Sequence, residues 1–118
     1  MNVIKRGHIY YANLDPVIGS EQGGYRPVIV IQNDTGNQYS PTVIVAAISS
    51  RIGYKANLPT HVLLDNAPGL EKSSIALLEQ IRTIDKSRID YYAGKIDGQT
   101  MREVTHALKI SLGIKKCV

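Results

Sequence analysis

Two runs of β-branched residues, RPVIVIQN at 26–33 and PTVIVAAIS at 41–49, constrain the fold of this chain more than any other feature. Both are dense in Val and Ile, short enough for strands and bounded by turn-forming residues, which is typical of strands buried in a sheet. The segment between them, DTGNQYS at 34–40, holds residues that tolerate turn conformations. The sequence therefore predicts two central strands joined as a hairpin with a longer loop.

Weaker patterns predict further strands around this pair. HIYYANL at 8–14 is rich in β-formers and ends at Asp15-Pro16, a turn signal, because proline disfavours helical backbone in the residue before it. THVLLD at 60–65 follows a polar loop at 52–59 and predicts a short strand. DYYAGKID at 90–97 predicts an edge strand.

The segment SSIALLEQIRTIDKSRI at 73–89 is ambiguous when judged by periodicity. Ile75, Leu78 and Ile81 fit the apolar stripe of a helix, whereas the flanks of the segment fit a strand. Local sequence alone leaves both possibilities open.

The segment DGQTMREVTHALKISLG is the one clear helix signal. Its N-cap is expected at Asp97 or Thr100, and Thr100 and Glu103 have capping-box spacing. Gly113 is expected to close the helix as the residue after its last turn. The apolar stripe that would face the sheet consists of Met101, Val104, Leu108 and Leu112.

Length and composition indicate one folded domain over residues 1–118, because compact domains commonly have about 100–150 residues. The 43% hydrophobic and 20% charged content is that of a globular chain and excludes a disordered tail. With several strands followed by one helix, the predicted class is α+β and mainly β: a small, strongly curved, barrel-like sheet with the helix packed on it.

The chain lacks the signals of export or membrane insertion. No apolar run approaches the ~20 residues that span a bilayer, and MNVIKRGHIYY does not have the apolar stretch of a signal peptide. The single cysteine, Cys117, cannot form an internal disulfide. These observations predict a cytoplasmic protein without a membrane partner.

The net charge of +4 and the pI of about 9.3 favour an anionic partner. The cations are dispersed along the chain and form no basic tail, so an anion site would have to be assembled by folding, within one chain or across a dimer. His8, His61 and His106 are far apart and have no Cys or carboxylate at ligand spacing, and the nucleotide-binding and hydrolase glycine motifs are missing. We therefore expect neither a metal nor a cofactor.

Arg26 is the first candidate site residue. Gly23 and Gly24 allow a tight backbone path before it, Tyr25 offers an aromatic ring and Pro27 stiffens the start of the strand. A guanidinium presents a planar fork of donors that matches two phosphate oxygens. The alternative is a structural ion pair of Arg26 with Glu21 or Asp34, with Glu21 as the natural partner in either case.

Ser49 ends the second apolar run. If the two central strands pair in antiparallel fashion, Arg26 at the start of one can face Ser49 at the end of the other. A serine at a strand end is most often a turn residue. Proximity to Arg26 would instead indicate that Ser49 belongs to a site with Arg26.

The run G-S-E-Q-G-G-Y-R-P-V-I-V-I-Q-N-D resembles the MazF/PemK toxin family. It is preceded by L-D-P and followed by V-A-A-I-S and L-L-E-Q-I-R-T-I-D, so that the resemblance covers essentially the whole chain. Within the family, the sequence is most similar to the MazF toxins of Gram-positive bacteria.

This resemblance implies a fold, an activity and partners. Family members are homodimers with a small SH3-like curved sheet and a C-terminal helix, which makes residues 74–84 mainly strand. They are the toxins of type II toxin–antitoxin pairs and cleave single-stranded RNA at specific sequences without a metal, which stops translation and growth. The antitoxin, resembling MazE, covers the site with a partly disordered tail, which we expect to be acidic because a basic groove also attracts carboxylates.

The resemblance also assigns roles to individual residues. The arginine of the family motif corresponds to Arg26 and its loop glutamate to Glu21, while the second catalytic position, usually threonine, is occupied by Ser49. This departure keeps the hydroxyl and loses the methyl group. Cleavage is expected through the RNA 2′-hydroxyl, giving a 2′,3′-cyclic phosphate and a 5′-hydroxyl end. The expected RNA-binding residues are Ser20, Gln22, Tyr25, Ser50, Arg51, Glu79 and Gln80, together with the 52–59 loop.

Two other functions remain as alternatives. A CcdB-like gyrase poison has a similar fold but acts through its C-terminal residues, and the ending GIKKCV is basic and lacks the aromatic residue of those toxins. A non-catalytic RNA-binding module in an SH3-like shell would more often display stacking aromatics than an arginine paired with a hydroxyl.

Overall fold

Six strands and two helices make up the computed structural model, which describes residues 3–50, 58–65, 67–70 and 73–114. Arg51, positions 52–57 of the predicted loop and Cys117 therefore lie outside the described residues. A 3₁₀ turn at Lys86–Arg88 joins the last two strands. The elements are β1 (His8–Asn13), β2 (Tyr25–Val30), α1 (Asp34–Tyr39), β3 (Thr42–Ser49), β4 (His61–Leu64), β5 (Ser74–Asp85), β6 (Ile89–Lys95) and α2 (Gly98–Leu112).

All six strands belong to one antiparallel sheet in the order β4-β5-β3-β2-β1-β6. The predicted class, mainly β with a C-terminal helix, is confirmed, and β6 is an edge strand as the sequence predicts. Within the described residues β4 and β6 do not pair with each other, so the sheet is open and the barrel is not closed. No helix of the described segments is long and apolar enough to cross a membrane.

The apolar runs are continuous because both faces of β2 and β3 are buried. Alternate residues of each strand enter one of two hydrophobic clusters, so neither face needs polar positions. The cluster under α2 includes Ile9, Ile29, Ala46, Ile48, Leu78, Val104 and Ala107. The cluster on the opposite face includes Tyr10, Leu14, Val28, Val30, Val43, Val45 and Ile84.

The ambiguous segment at 73–89 forms the long strand β5, as the family resemblance implies. It pairs with β3 along one edge and with β4 along the other, so its backbone groups are satisfied in the sheet. The β3 register shifts between Ala46, opposite Ile81, and Ala47, opposite Leu77. The residues between Leu77 and Ile81 are therefore an insertion that bends β5, and Gln80 lies in this bulge.

The predicted loop at 34–40 is wrong in part, because six of its residues form the short helix α1. The Asn33 side chain caps this helix by accepting a hydrogen bond from the Gly36 amide at 2.8 Å. The buried side-chain amide of Asn37 donates to the backbone carbonyl of Gln32 at 3.0 Å. This bond holds helix α1 against the residues that follow β2. Turn-forming residues are also good helix caps, so composition could not separate the two outcomes. β2 and β3 still pair as a hairpin.

Helix α2 begins and ends close to its predicted positions. Asp97 is the N-cap and accepts a hydrogen bond from the Thr100 amide at 2.8 Å, which keeps the pKa of Asp97 below its usual value. The capping box expected for Thr100 and Glu103 is wrong, because Thr100 lies inside the helix and Glu103 accepts from Gln99. Gly113 ends the helix in a left-handed conformation with φ 71°.

Candidate functional site

Arg26 and Ser49 lie near the ends of two paired strands. The β2–β3 pairing ends at Val28 opposite Ala47, and the same register continued by two residues would set Arg26 opposite Ser49. The Arg26 Nη1 atom donates to the Ile48 carbonyl at 3.4 Å, which places the guanidinium at the end of β3. The structure therefore places the Arg26 guanidinium next to Ile48, the residue before Ser49, while a shared role of Arg26 and Ser49 in a site remains a prediction.

The Gly23-Gly24 pair determines the path of the chain before Arg26. Gly24 has a φ of +80°, and a Cβ on Gly23 would lie 2.6 Å from a Val17 methyl carbon. A side chain at either position would strain or displace the loop. This path aims the Gly23 carbonyl at Arg26, whose Nε donates to it at 2.7 Å. The guanidinium is thus oriented by backbone carbonyls.

The guanidinium lines a surface pocket of about 340 Å³. Arg26 is half-buried there, whereas Ser49 is only 2% exposed and its neighbour Ser50 reaches the pocket wall. The predicted residues Tyr25 and Ser50 therefore lie in the same pocket as Arg26. Its lining consists of Tyr11, Tyr25, Arg26, Pro27, Ile48, Ser50, Leu70 and Ser74.

Within the described part of the chain, Glu21 does not form the ion pair with Arg26 that the sequence suggested. Its carboxylate accepts a hydrogen bond from the Ile18 amide at 2.8 Å, and its own amide donates to the Ile18 carbonyl at 3.2 Å. These two bonds hold Glu21 in a local turn. Asp34, the other suggested partner, accepts from the Arg6 amide at 2.7 Å instead.

Three predicted RNA-binding residues meet where the 15–24 loop touches β5. The Gln80 side chain accepts a hydrogen bond from the Gln22 amide at 3.3 Å and donates to the Ser20 carbonyl at 3.5 Å. The bulge in β5 places Gln80 at this position. Gln80 therefore ties the loop that carries Glu21 to the sheet.

Glu79 lies apart from this group, at the contact between β4 and β5. Its carboxylate accepts hydrogen bonds from the Thr60 hydroxyl at 2.8 Å and from His61 Nε2 at 2.9 Å. Burial opposes ionisation of Glu79, but these two bonds outweigh it and lower its pKa. An RNA-binding role for Glu79 remains a prediction, and Arg51 lies outside the described residues.

Sequence reasoning missed two arginines that hold the base of the 15–24 loop. Arg82 donates to the Leu14 carbonyl at 2.5 Å, and Arg88 donates to the carbonyls of Asn13 and Asp15 at 3.2 and 2.5 Å. Asp15 in turn accepts from the Gly24 amide at 2.9 Å, which closes the loop. No local sequence signal marks these contacts, because they join positions up to 75 residues apart.

The described residues contain no group of three or more His, Cys, Asp or Glu side chains placed to hold a metal ion. The candidate site instead offers a guanidinium, hydroxyl groups, aromatic rings and backbone amides. Such groups bind and orient an anion such as a phosphodiester.

The fold is an open, mainly β domain, and its candidate site places an arginine at the strand end that carries a serine. Residues 5–112 match the family described as "PemK-like, MazF-like toxin of type II toxin-antitoxin system". The chain belongs to this family.

Individual relatives agree with this assignment. The chain is similar to the endoribonuclease EndoA of Bacillus subtilis, with 56% identity over 113 residues that cover 95% of this chain and 97% of the relative. This confirms the expected likeness to toxins of Gram-positive bacteria. Among solved structures, MazF of Deinococcus radiodurans has a TM-score of 0.84 at 27% identity, covering 97% of this chain and 100% of that one. A MazE-MazF structure from the same organism has a TM-score of 0.77 at 26% identity, covering 98% and 100%.

Proposed function

We propose that this protein is the endoribonuclease toxin of a type II toxin–antitoxin pair and that it cuts single-stranded messenger RNA, without a metal, at the Arg26–Ser49 site. The observation that carries this proposal is the position of the Arg26 guanidinium. Arg26 lines an open pocket, and its guanidinium donates to the carbonyl of Ile48, the residue before Ser49. Membership in a toxin family whose relatives include a named endoribonuclease supports the same activity.

RNA supplies its own nucleophile in this mechanism. The 2′-oxygen attacks the adjacent phosphorus, the bond to the 5′-oxygen of the next nucleotide breaks, and the products are a 2′,3′-cyclic phosphate and a 5′-hydroxyl end. The protein then has to hold the 2′-hydroxyl in line and stabilise the charge that develops on the phosphate oxygens. No covalent intermediate with the protein is needed.

Arg26 is suited to the charge-stabilising part of this task. A guanidinium remains charged at physiological pH and offers parallel donors to two phosphate oxygens. The bonds to Gly23 and Ile48 orient it before RNA binds, so little reorganisation is required in the transition state. We also assign to Arg26 the donation of a proton to the leaving 5′-oxygen.

Ser49 is assigned the hydrogen bond to the phosphate or to the 2′-hydroxyl. Glu21 is the candidate for removing the 2′ proton, because it is an acidic residue of the 15–24 loop and corresponds to the glutamate of the family motif. In this structure its carboxylate is bonded to the Ile18 amide, so the base role requires the loop to rearrange when RNA binds. The alternative role of Glu21 is to hold the loop through that bond.

Recognition of the RNA sequence is assigned to the loops around the pocket. Ser20, Gln22 and Gln80 form one connected group in and against the 15–24 loop, and Tyr25 and Ser50 line the wall of the pocket. The unpaired bases of single-stranded RNA expose the edges that such polar groups can bind. Arg51 and the 52–59 loop complete the set of residues proposed to recognise the RNA sequence.

The remaining parts of the proposal concern partners and location. The toxin acts in the cytoplasm as a homodimer, and a MazE-like antitoxin with an acidic, partly disordered tail neutralises it by covering the basic site. Toxin saturated with antitoxin should therefore leave RNA uncut, and a complex that still cuts RNA would place the antitoxin elsewhere.

The test of the cleavage mechanism is digestion of a long RNA by the purified protein in the presence of EDTA. Primer extension should locate cuts at one recurring sequence, and the downstream fragments should accept phosphate from a kinase because their 5′ ends are hydroxyls. An oligonucleotide with deoxyribose only at the nucleotide 5′ of the scissile phosphate should bind nearly as well but stay intact. Cutting of this oligonucleotide at the same bond would contradict the mechanism. Poisoning of gyrase with RNA left intact would favour the CcdB-like alternative.

A further inference from the structure

Three tyrosines from neighbouring strands stack into a ladder beside the candidate site. The Tyr11 ring, on β1, lies between the rings of Tyr25 on β2 and Tyr91 on β6. Its centroid is 5.7 Å from that of Tyr25 and 4.9 Å from that of Tyr91, with interplanar angles of 23° and 15°. We call these three residues the tyrosine ladder.

The two outer rings of the tyrosine ladder are open to solvent. Tyr25 is 54% exposed and Tyr91 is 52% exposed, although an aromatic ring normally gains stability from burial. The Tyr25 hydroxyl donates to an Asp90 carboxylate oxygen at 2.7 Å, and this bond raises the pKa of Tyr25 to about 12. The outer ring is thus held in a fixed orientation while most of its surface stays accessible.

Tyr25 lies between two arginine-containing pockets. It lines the 340 Å³ pocket together with Arg26 and Tyr11. It also lines a second pocket of about 610 Å³ together with Arg88 and Asp90. Tyr25 therefore shares one pocket with Arg26 and the other with Arg88. Grooves that bind single-stranded nucleic acid combine these same two features, cations along the backbone and aromatic faces for the bases.

We propose that the tyrosine ladder is a nucleotide subsite in which Tyr25 stacks on one unpaired base next to the scissile phosphate. This inference deepens the proposed function and rests on it. Tyr11 supports the Tyr25 ring from behind, and Tyr91 supports Tyr11. Arg26 contacts the phosphate on one side of the stacked nucleotide, and Arg88 lies beside the backbone on the other side.

An RNA base fits the ladder better than a peptide segment does. The ladder ends in a ring face of the right shape for the flat face of a base, and stacking accepts any base because all four have such faces. The neighbouring arginines suit a chain with a phosphate at every residue. The subsite would therefore add affinity without adding sequence specificity.

The direct test replaces the ring of Tyr25 in the full-length protein. The probe is a single-stranded RNA with the mapped cleavage sequence and deoxyribose at the scissile position, or an unstructured RNA of mixed sequence if mapping finds no cut. Tyr25→Leu should weaken binding about tenfold, because it removes one stacked base contact. Tyr25→Phe keeps the ring, loses only the bond to Asp90 and should bind nearly as well as the unmodified protein. Tyr39→Leu, at an exposed tyrosine outside the ladder, is the matched control and should bind normally.

A second measurement locates the stacked base and does not depend on how well a variant folds. 2-Aminopurine is placed in turn at each nucleotide flanking the scissile phosphate, because stacking quenches its fluorescence. The unmodified protein should quench one position strongly, Tyr25→Phe should retain this quenching and Tyr25→Leu should lose it. The absence of a quenched position would overturn the subsite even if Tyr25→Leu fails to fold.

The outcomes separate the subsite from the proposed function. If RNA is cut but Tyr25→Leu changes neither binding nor quenching, the subsite is wrong and the nuclease stands. If RNA is never cut while binding and quenching depend on Tyr25, the nuclease is wrong and the stacking surface stands. Unchanged RNA binding combined with weaker antitoxin binding by Tyr25→Leu would assign the ladder to the protein partner and overturn the proposal.

Discussion

Among the residues that the structure describes, Arg26 is positioned by backbone carbonyls and bonds to no carboxylate. The carbonyls of Gly23 and Ile48 accept its hydrogen bonds, and Glu21 is engaged with Ile18. Its guanidinium is bonded to neutral acceptors among the described residues, which leaves an incoming anion as a charge partner. The residue therefore has the environment of a binding group.

Substitution of Arg26 tests whether geometry or charge matters. Arg26→Ala should abolish cleavage, and Arg26→Lys should lower the rate by about 10²-fold or more, because an ammonium cannot present two parallel donors. The measurement is the single-turnover rate on a short RNA, with circular dichroism to confirm folding. Near-normal activity of the lysine variant would reduce Arg26 to a source of positive potential.

Substitutions of Ser49 test its hydroxyl. Ser49→Ala should lower the cleavage rate by about 10²-fold if the hydroxyl contacts the transition state. Ser49→Thr, which restores the usual residue of the family, should remain active, although the added methyl must fit a position that is 2% exposed. Equal rates for the alanine and threonine variants would leave Ser49 as a strand-end residue. Measurement of RNA affinity alongside the rate separates binding from chemistry.

At the scale of elements, β5 connects the site to the rest of the fold. It supplies Gln80 to the 15–24 loop on one side and Glu79 to β4 on the other. The bulge between Leu77 and Ile81 lets two adjacent residues serve these two different neighbours. Damage to the Glu79 contacts should therefore affect stability more than catalysis.

The Glu79 contacts should make stability depend on pH. Hydrogen bonds from His61 and Thr60 lower the pKa of Glu79 in the folded protein. The ionised carboxylate therefore adds to the free energy of unfolding above the unfolded-state pKa of about 4.3. This stabilisation is lost as the pH falls through the lower folded-state pKa. Glu79→Gln should reduce the free energy of unfolding at pH 7 by about 1 kcal/mol or less, because the side chain is one-third exposed.

Urea unfolding at pH 7 and pH 3.5 checks this dependence. The difference in unfolding free energy between the unmodified protein and Glu79→Gln should shrink at the lower pH. Glu103→Gln, the same change at an exposed glutamate on α2, serves as the control for altered charge. A difference that stays constant between the two pH values would mean that the Glu79 carboxylate contributes nothing through its charge.

At the scale of the whole molecule, exposed apolar residues and an open sheet suggest a partner copy. Ile110, Leu112 and Ile114, in and just after the last turn of α2, are 43%, 53% and 55% exposed, and β4 and β6 leave free edges in the described sheet. A chain of this size also offers little surface for an RNA groove. Association of two copies would cover apolar surface and lengthen the groove.

Sedimentation at micromolar concentration should therefore show a homodimer. Leu112→Glu places a charge in the exposed apolar group and should shift the protein towards monomer, while Glu103→Gln on the same helix should not. A monomer that retains full cleavage activity would contradict the predicted dimer.

The sequence by itself determined the elements whose information is local. The Val and Ile runs define β2 and β3 because both faces of these strands are buried. Asp97 and Gly113 mark the ends of α2, since a capping side chain and a left-handed glycine act within one turn. The expectation that Arg26 lies near the end of β3, where Ser49 is found, also followed from local reasoning, because a hairpin determines which strand ends meet.

Only the tertiary structure decided the features that depend on distant partners. β5 is a strand because β3 and β4 satisfy its backbone on both edges, although its apolar spacing also fits a helix. The tyrosine ladder exists because β1 and β2, which follow one another in the chain, lie beside the distant strand β6, so that Tyr25, Tyr11 and Tyr91 stack. Contacts of this kind depend on register and twist across the sheet, and no short window of sequence contains that information.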